Sequence, residues 1–68
     1  MKVSARNQLA GTIVEVHKGA TTSHVVIDVG GTHIFASITN EAVADLGLEP
    51  GKKATALIKA SDVMVATD

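Results

Sequence analysis

Apolar and polar residues alternate along most of this chain, and a period of two is the signature of strands. In the stretch from Val3 to Leu9, the residues Val3, Ala5, Asn7 and Leu9 fall on one side, with Ser4, Arg6 and Gln8 on the other. Ala10-Gly11 reads as a break, and the β-branched run from Thr12 to His17 as a second strand. Lys18-Gly19-Ala20 then supplies a turn.

The clearest pattern lies between Ser23 and Thr39, where two β-rich runs flank Gly30-Gly31. Two glycines between strands suit a two-residue hairpin turn. That turn sets Asp28 opposite His33 and His24 opposite Ser37. It gathers Val25, Ile27, Val29, Thr32, Ile34, Ala36 and Ile38 on one apolar face, which is expected to be core. The other face carries His24, Val26, Asp28, His33, Phe35, Ser37 and Thr39, a mixture that suits solvent or another subunit.

Beyond Thr39 the period changes. Ala42, Val43 and Leu46 form a helical stripe, Thr39 or Asn40 can cap its start, and Glu41 sits in the first turn. Gly47 is placed to end the helix, and Glu49-Pro50-Gly51-Lys52 has the residues of a type II turn. Thr55 to Lys59 and Val63 to Val65 read as closing strands, with Ala56, Ile58 and Ala60 opposing Thr55, Leu57, Lys59 and Ser61. The expected fold is all-β with one short helix: an OB-like Greek-key β-barrel of five to six strands, forming one domain over residues 1–68.

Size changes the picture. A chain of 68 residues buries only about 60% of the surface its unfolded form exposes, and such domains usually need a disulfide, a metal or a partner subunit. There is no cysteine, which excludes disulfides and thiolate metal sites. With 46% hydrophobic residues but a single Phe, the chain has more aliphatic surface than a small sphere can hide. Self-association is the expected remedy. The net charge of −1 and the absence of a basic run argue against nucleic acid and anionic membranes. No stretch approaches the ~20 apolar residues of a membrane span. No apolar signal segment follows Met1, so a cytoplasmic location is expected.

Candidate chemistry appears near both ends. Ser4 and Arg6 share one side of the first predicted strand, and Lys59 and Ser61 share one side of the last regular one. Each pair joins a cation to a hydroxyl, a fitting set for a tetrahedral oxyanion, which needs positive charge and several donors. Backbone N–H groups beside small residues such as Ala5 and Ala60 could complete the shell. The same spacing also describes an ordinary solvated strand face, and both readings stand on spacing alone. His17, His24 and His33 lack the local spacing of a metal site. No Gly-rich strand-to-helix loop or evident catalytic triad is visible, so no enzyme and no cofactor are expected. With Phe35 as the only aromatic, neither single-stranded nucleic acid nor a pterin ring finds stacking platforms.

The run Ser-Ala-Arg-Asn-Gln-Leu at 4–9 resembles the opening of the molbindins, the small molybdate-binding domains also called Mop. Thr-Asn-Glu-Ala-Val at 39–43 and Ala-Leu-Ile-Lys-Ala-Ser at 56–61 are similar too, so that the resemblance spans essentially the whole chain as one Mop/TOBE-like domain. It implies an OB-like barrel assembled as a hexamer, a trimer of dimers, holding molybdate or tungstate between subunits. Carried over residue by residue, Ser4, Arg6, Lys59 and Ser61 become the ligand shell. Thr39 becomes a fifth contributor from a neighbouring subunit, and Asn7 with the Lys18-Gly19 loop belong to a second kind of site. The role implied is cytoplasmic storage of the oxyanion. The rival is a regulatory module acting on a partner protein. It would have to act in trans, because the chain has neither a helix-turn-helix nor a phosphate loop.

Overall fold

The computed structural model describes residues 1–68. Its first strand, β1 (Asn7–Lys18), carries β2 (Thr22–Val29) on one side and β4 (Lys53–Ile58) on the other, and β3 (Thr32–Thr39) pairs with β2. All pairings are antiparallel. Three strands thus follow as a meander and the fourth returns beside the first, which is a Greek key. A helix, α1 (Asn40–Leu46), fills the connection from β3 to β4. β3 and β4 do not pair, so the sheet curls into a half-barrel and stays open.

The strand count is four, not five to six. Ala10-Gly11 does not break the chain; both residues lie inside β1. Glycine is needed at 11 because a β-carbon there would collide with the Asp28 carbonyl oxygen and approach Ile27 Cγ2 to 2.9 Å. The irregularity comes slightly later, where the pairing with β2 shifts between Ile13 and Glu15 and leaves Val14 as a bulge. Residues 1–6 are not strand, because β4 ends at Ile58 opposite Asn7 and offers them nothing to pair with. Val63 to Val65 is also not strand. A 3-10 turn at Ala60–Asp62 carries the chain off the sheet, and Val63, Met64 and Val65 stand exposed with no neighbouring strand.

The hairpin follows the expected register, with Asp28 opposite His33 and His24 opposite Ser37. Gly30 and Gly31 have φ of 57° and 92°, the positive values that such a turn requires. Thr39 caps the helix, its Oγ1 accepting the Ala42 N–H at 3.0 Å, and Gly47 ends it in the left-handed conformation. The turn before β4 docks on β1 beside the bulge: Gly51 N–H donates to Ile13 O at 2.8 Å, and Ile13 N–H to Lys52 O at 2.9 Å.

Ile13, Val25, Ile27 and Ala56 form the core, with Leu9, Val16, Ile34, Ala36 and Ile38 packed against it. Only 6 of 68 residues are buried, so the inner face is largely uncovered. The hollow of the half-barrel is an open apolar concavity of about 810 Å³, lined by residues such as Ile34, Ile38, Leu48, Ala54 and Leu57. No helix is long and apolar enough to cross a membrane.

Candidate functional site

The register between β1 and β4 decides where the first candidates meet. Its last pair is Asn7 with Ile58, so Arg6 and Lys59 are the next residues outward beyond the two strands. Ala5 and Ser4 lie further along one segment, and Ala60 and Ser61 further along the other. The predicted strand faces do not hold here. Ser4, Ala5 and Arg6 precede β1, and Lys59 leads into the 3-10 turn that carries Ala60 and Ser61. Without strand pairing beyond Asn7 and Ile58, a shared end of the sheet brings the two groups together, rather than a shared face.

This end is rich in donors. The ion pairs of the chain are His17–Glu15, His33–Asp28 and Lys52–Glu49, so neither Arg6 nor Lys59 has a carboxylate partner. Asp62 closes the turn, yet it pairs with neither cation. The hydroxyls of Ser4 and Ser61 bond to no protein group. The N–H groups of Ala60 and Ser61 open the turn and have no acceptor within it, and the Ala5 N–H donates to no backbone carbonyl. Asn7 is committed locally, its Nδ2 donating to Ile58 O at 3.1 Å. Gln8 Nε2 reaches back to Ala5 O at 3.3 Å. Ser4, Arg6, Lys59, Ala60 and Ser61 are all exposed, with Ala5 half-buried. Two unpaired cations, two free hydroxyls and unbonded amides can together receive an anion with several oxygens.

Thr39 lies at the other end. It pairs with Thr22, beside the Lys18–Ser23 pair that ends the β1–β2 ladder. The twelve residues of β1 separate this end from Asn7, on the order of 30 Å at strand spacing. Thr39 therefore cannot join Arg6 and Lys59 within one chain. Lys18 and Gly19 share its end, whereas Asn7 does not, so the candidates for a second site are divided in the same way. The Thr39 hydroxyl, which accepts from Ala42, still has its own hydrogen to donate.

Sequence reasoning gave Asn40 only a capping role, and the structure gives it another. Its Nδ2 donates to the carbonyls of Gly19 at 3.0 Å and Ala20 at 3.3 Å, and its backbone N–H to Thr21 O at 2.9 Å. Its Oδ1 accepts the hydroxyl of Ser23, the one buried polar side chain of the molecule. An Asn between a strand and a helix reads equally as a cap, so no local signal could have revealed this link. His17 stands opposite His24, and no three His, Cys, Asp or Glu groups converge as a metal site.

The family model described as TOBE domain matches residues 3–65. A probable molybdenum-pterin-binding protein of Haemophilus influenzae is 46% identical over 69 aligned residues, covering the whole of both chains. The fold matches that of a molybdate-binding protein from Sporomusa ovata with a TM-score of 0.93 and 46% identity, covering 98% of this chain and 100% of that one. It also matches ModG, a cytoplasmic molybdate-binding protein solved with molybdate bound, with a TM-score of 0.90 and 48% identity. In that case 94% of this chain spans 46% of the other, about half its length.

Proposed function

The chain belongs to the TOBE-domain family, and from that premise we propose that it binds molybdate or tungstate between subunits, as a cytoplasmic store that performs no catalysis. The observation that carries this reading is the donor-rich end of the sheet, where Arg6 and Lys59 stand without carboxylate partners. Arg6 and Lys59 supply charge, Ser4 and Ser61 supply hydrogen bonds, and the amides of Ala5 and Ala60 complete the shell. Thr39 of a neighbouring subunit closes the site, because it cannot reach from within the same chain. Lys18 and Gly19 contribute to a second kind of site at their own end. A pocket sealed between subunits excludes water, which strengthens every charge-assisted hydrogen bond in it.

The open half-barrel and its small core support an oligomer, for which we propose a hexamer built as a trimer of dimers. A cytoplasmic setting agrees with the description of ModG. The pterin in the relative's name would find no stacking platform on this chain. The chain's single aromatic ring, Phe35, lies 76% exposed and edge-on to His33, with no second ring to sandwich a flat ligand.

Calorimetry with molybdate, on protein whose mass is measured by light scattering, tests the proposal. Saturable binding to an oligomer is expected, with Arg6→Ala and Lys59→Ala each weakening it by ~30-fold or more, the scale for breaking a desolvated charge contact. Unchanged affinity in both variants would remove these residues from the site. A monomer giving no heat with either oxyanion would overturn the function itself.

A further inference from the structure

Asn40 makes four hydrogen bonds, and three of them end on consecutive carbonyls of one loop, those of Gly19, Ala20 and Thr21. A trans peptide directs its C=O and N–H in opposite senses, and every peptide in the chain is trans. Turning the Gly19 and Ala20 carbonyls toward Asn40 therefore turns the N–H groups of Ala20 and Thr21 away from it. Neither N–H donates to any protein group, and both residues are exposed. Lys18, which has no carboxylate partner, is the last residue of β1 before this loop. The Ser23 hydroxyl anchors the Asn40 side chain from the buried side.

We propose that Asn40 is a positioning residue for oxyanion binding. By drawing the Gly19 and Ala20 carbonyls onto its side-chain amide, it presents the N–H groups of Ala20 and Thr21, beside Lys18, as outward donors to a tetrahedral oxyanion. The inference rests on the reading above that the Lys18-Gly19 loop serves a second kind of site. It adds the donor atoms and the residue that orients them. Successive backbone amides aimed at one point form a concavity suited to anions, and Lys18 adds the charge that an amide pair lacks. Asn40 itself touches no ligand, since its amide and carbonyl are both used internally.

The test is a molybdate titration of the assembled, ¹⁵N-labelled protein, with sodium chloride at matched ionic strength as the control. The Ala20 and Thr21 amide resonances should shift saturably with molybdate and not with chloride. Asn40→Asp keeps an acceptor for Ser23 but has no N–H for the Gly19 and Ala20 carbonyls. That variant should lose these shifts and bind fewer ions per chain, while binding that depends on Arg6 keeps its affinity. Ser23→Ala, which leaves both Nδ2 donors in place, should retain the shifts. Silent Ala20 and Thr21 amides in a wild-type protein that binds molybdate would overturn the inference and leave the Arg6–Lys59 site standing. So would a folded Asn40→Asp protein with unchanged stoichiometry and shifts. If Asn40→Asp fails to fold, the wild-type titration decides alone. A wild-type protein that binds no molybdate at all would overturn this inference and the parent reading together.

Discussion

Gly11 occupies a place where no side chain fits. A β-carbon there would meet the Asp28 carbonyl and the Ile27 methyl group, both of the adjacent strand, so the constraint comes from packing. Gly11→Ala should destabilise the fold by about 1–3 kcal/mol, the range for overpacking a tight contact, read as a lower urea midpoint. In sequence the residue is ambiguous, because a glycine between apolar runs marks a turn as readily as a close approach of two backbones. Arg6 and Lys59 were legible as chemistry, from their type and their hydroxyl neighbours. Their meeting was not, since it depends on the pairing of Asn7 with Ile58, positions far apart in the chain. Asn40 was least legible of all. Three of its four partners are backbone carbonyls, which carry no residue identity.

At the scale of elements, Thr39 is both the last residue of β3 and the cap of α1. Thr39→Ala removes the acceptor for the Ala42 N–H and should cost about 1 kcal/mol of stability, measured by thermal unfolding without ligand. Thr39→Ser keeps the hydroxyl and should restore both stability and molybdate affinity. An alanine variant with normal affinity would confine Thr39 to capping. The hairpin, the helix and the Glu49–Lys52 turn were readable because their determinants are local: alternation, paired glycines, a cap, and a proline before a glycine. The extent of β1 and the fate of the tail were not. Gly11 within β1 looks like a break between two strands, and the Val14 bulge changes the parity beyond it, so β1 does not read as one alternating run. The tail from Val63 to Val65 is apolar and β-branched enough to pair, but this chain provides no strand beside it.

At the scale of the whole molecule, two ends of one sheet carry the residues that the proposed function assigns to complementary halves of a site. One end holds Arg6 and Lys59, the other Thr39 with the Lys18-Gly19 loop, and the length of β1 keeps them apart. The open concavity between the unpaired edges of β3 and β4 gives copies of the chain an apolar reason to associate. In the proposed assembly, association brings unlike ends together. Under the proposed function, a population of such chains behaves as sharers, each lending one half of a site and borrowing the other. Two variants weakened at this site, one altered at Arg6 and one at Thr39, can in that case repair each other. In a mixed pair, the chain with intact Arg6 meets the chain with intact Thr39 at one contact, while the reciprocal contact carries both defects. Unfolding and refolding the two variants together should thus recover tight molybdate binding at the Arg6–Lys59 site that neither has alone. Simple mixing of the finished assemblies should recover it only as fast as subunits exchange.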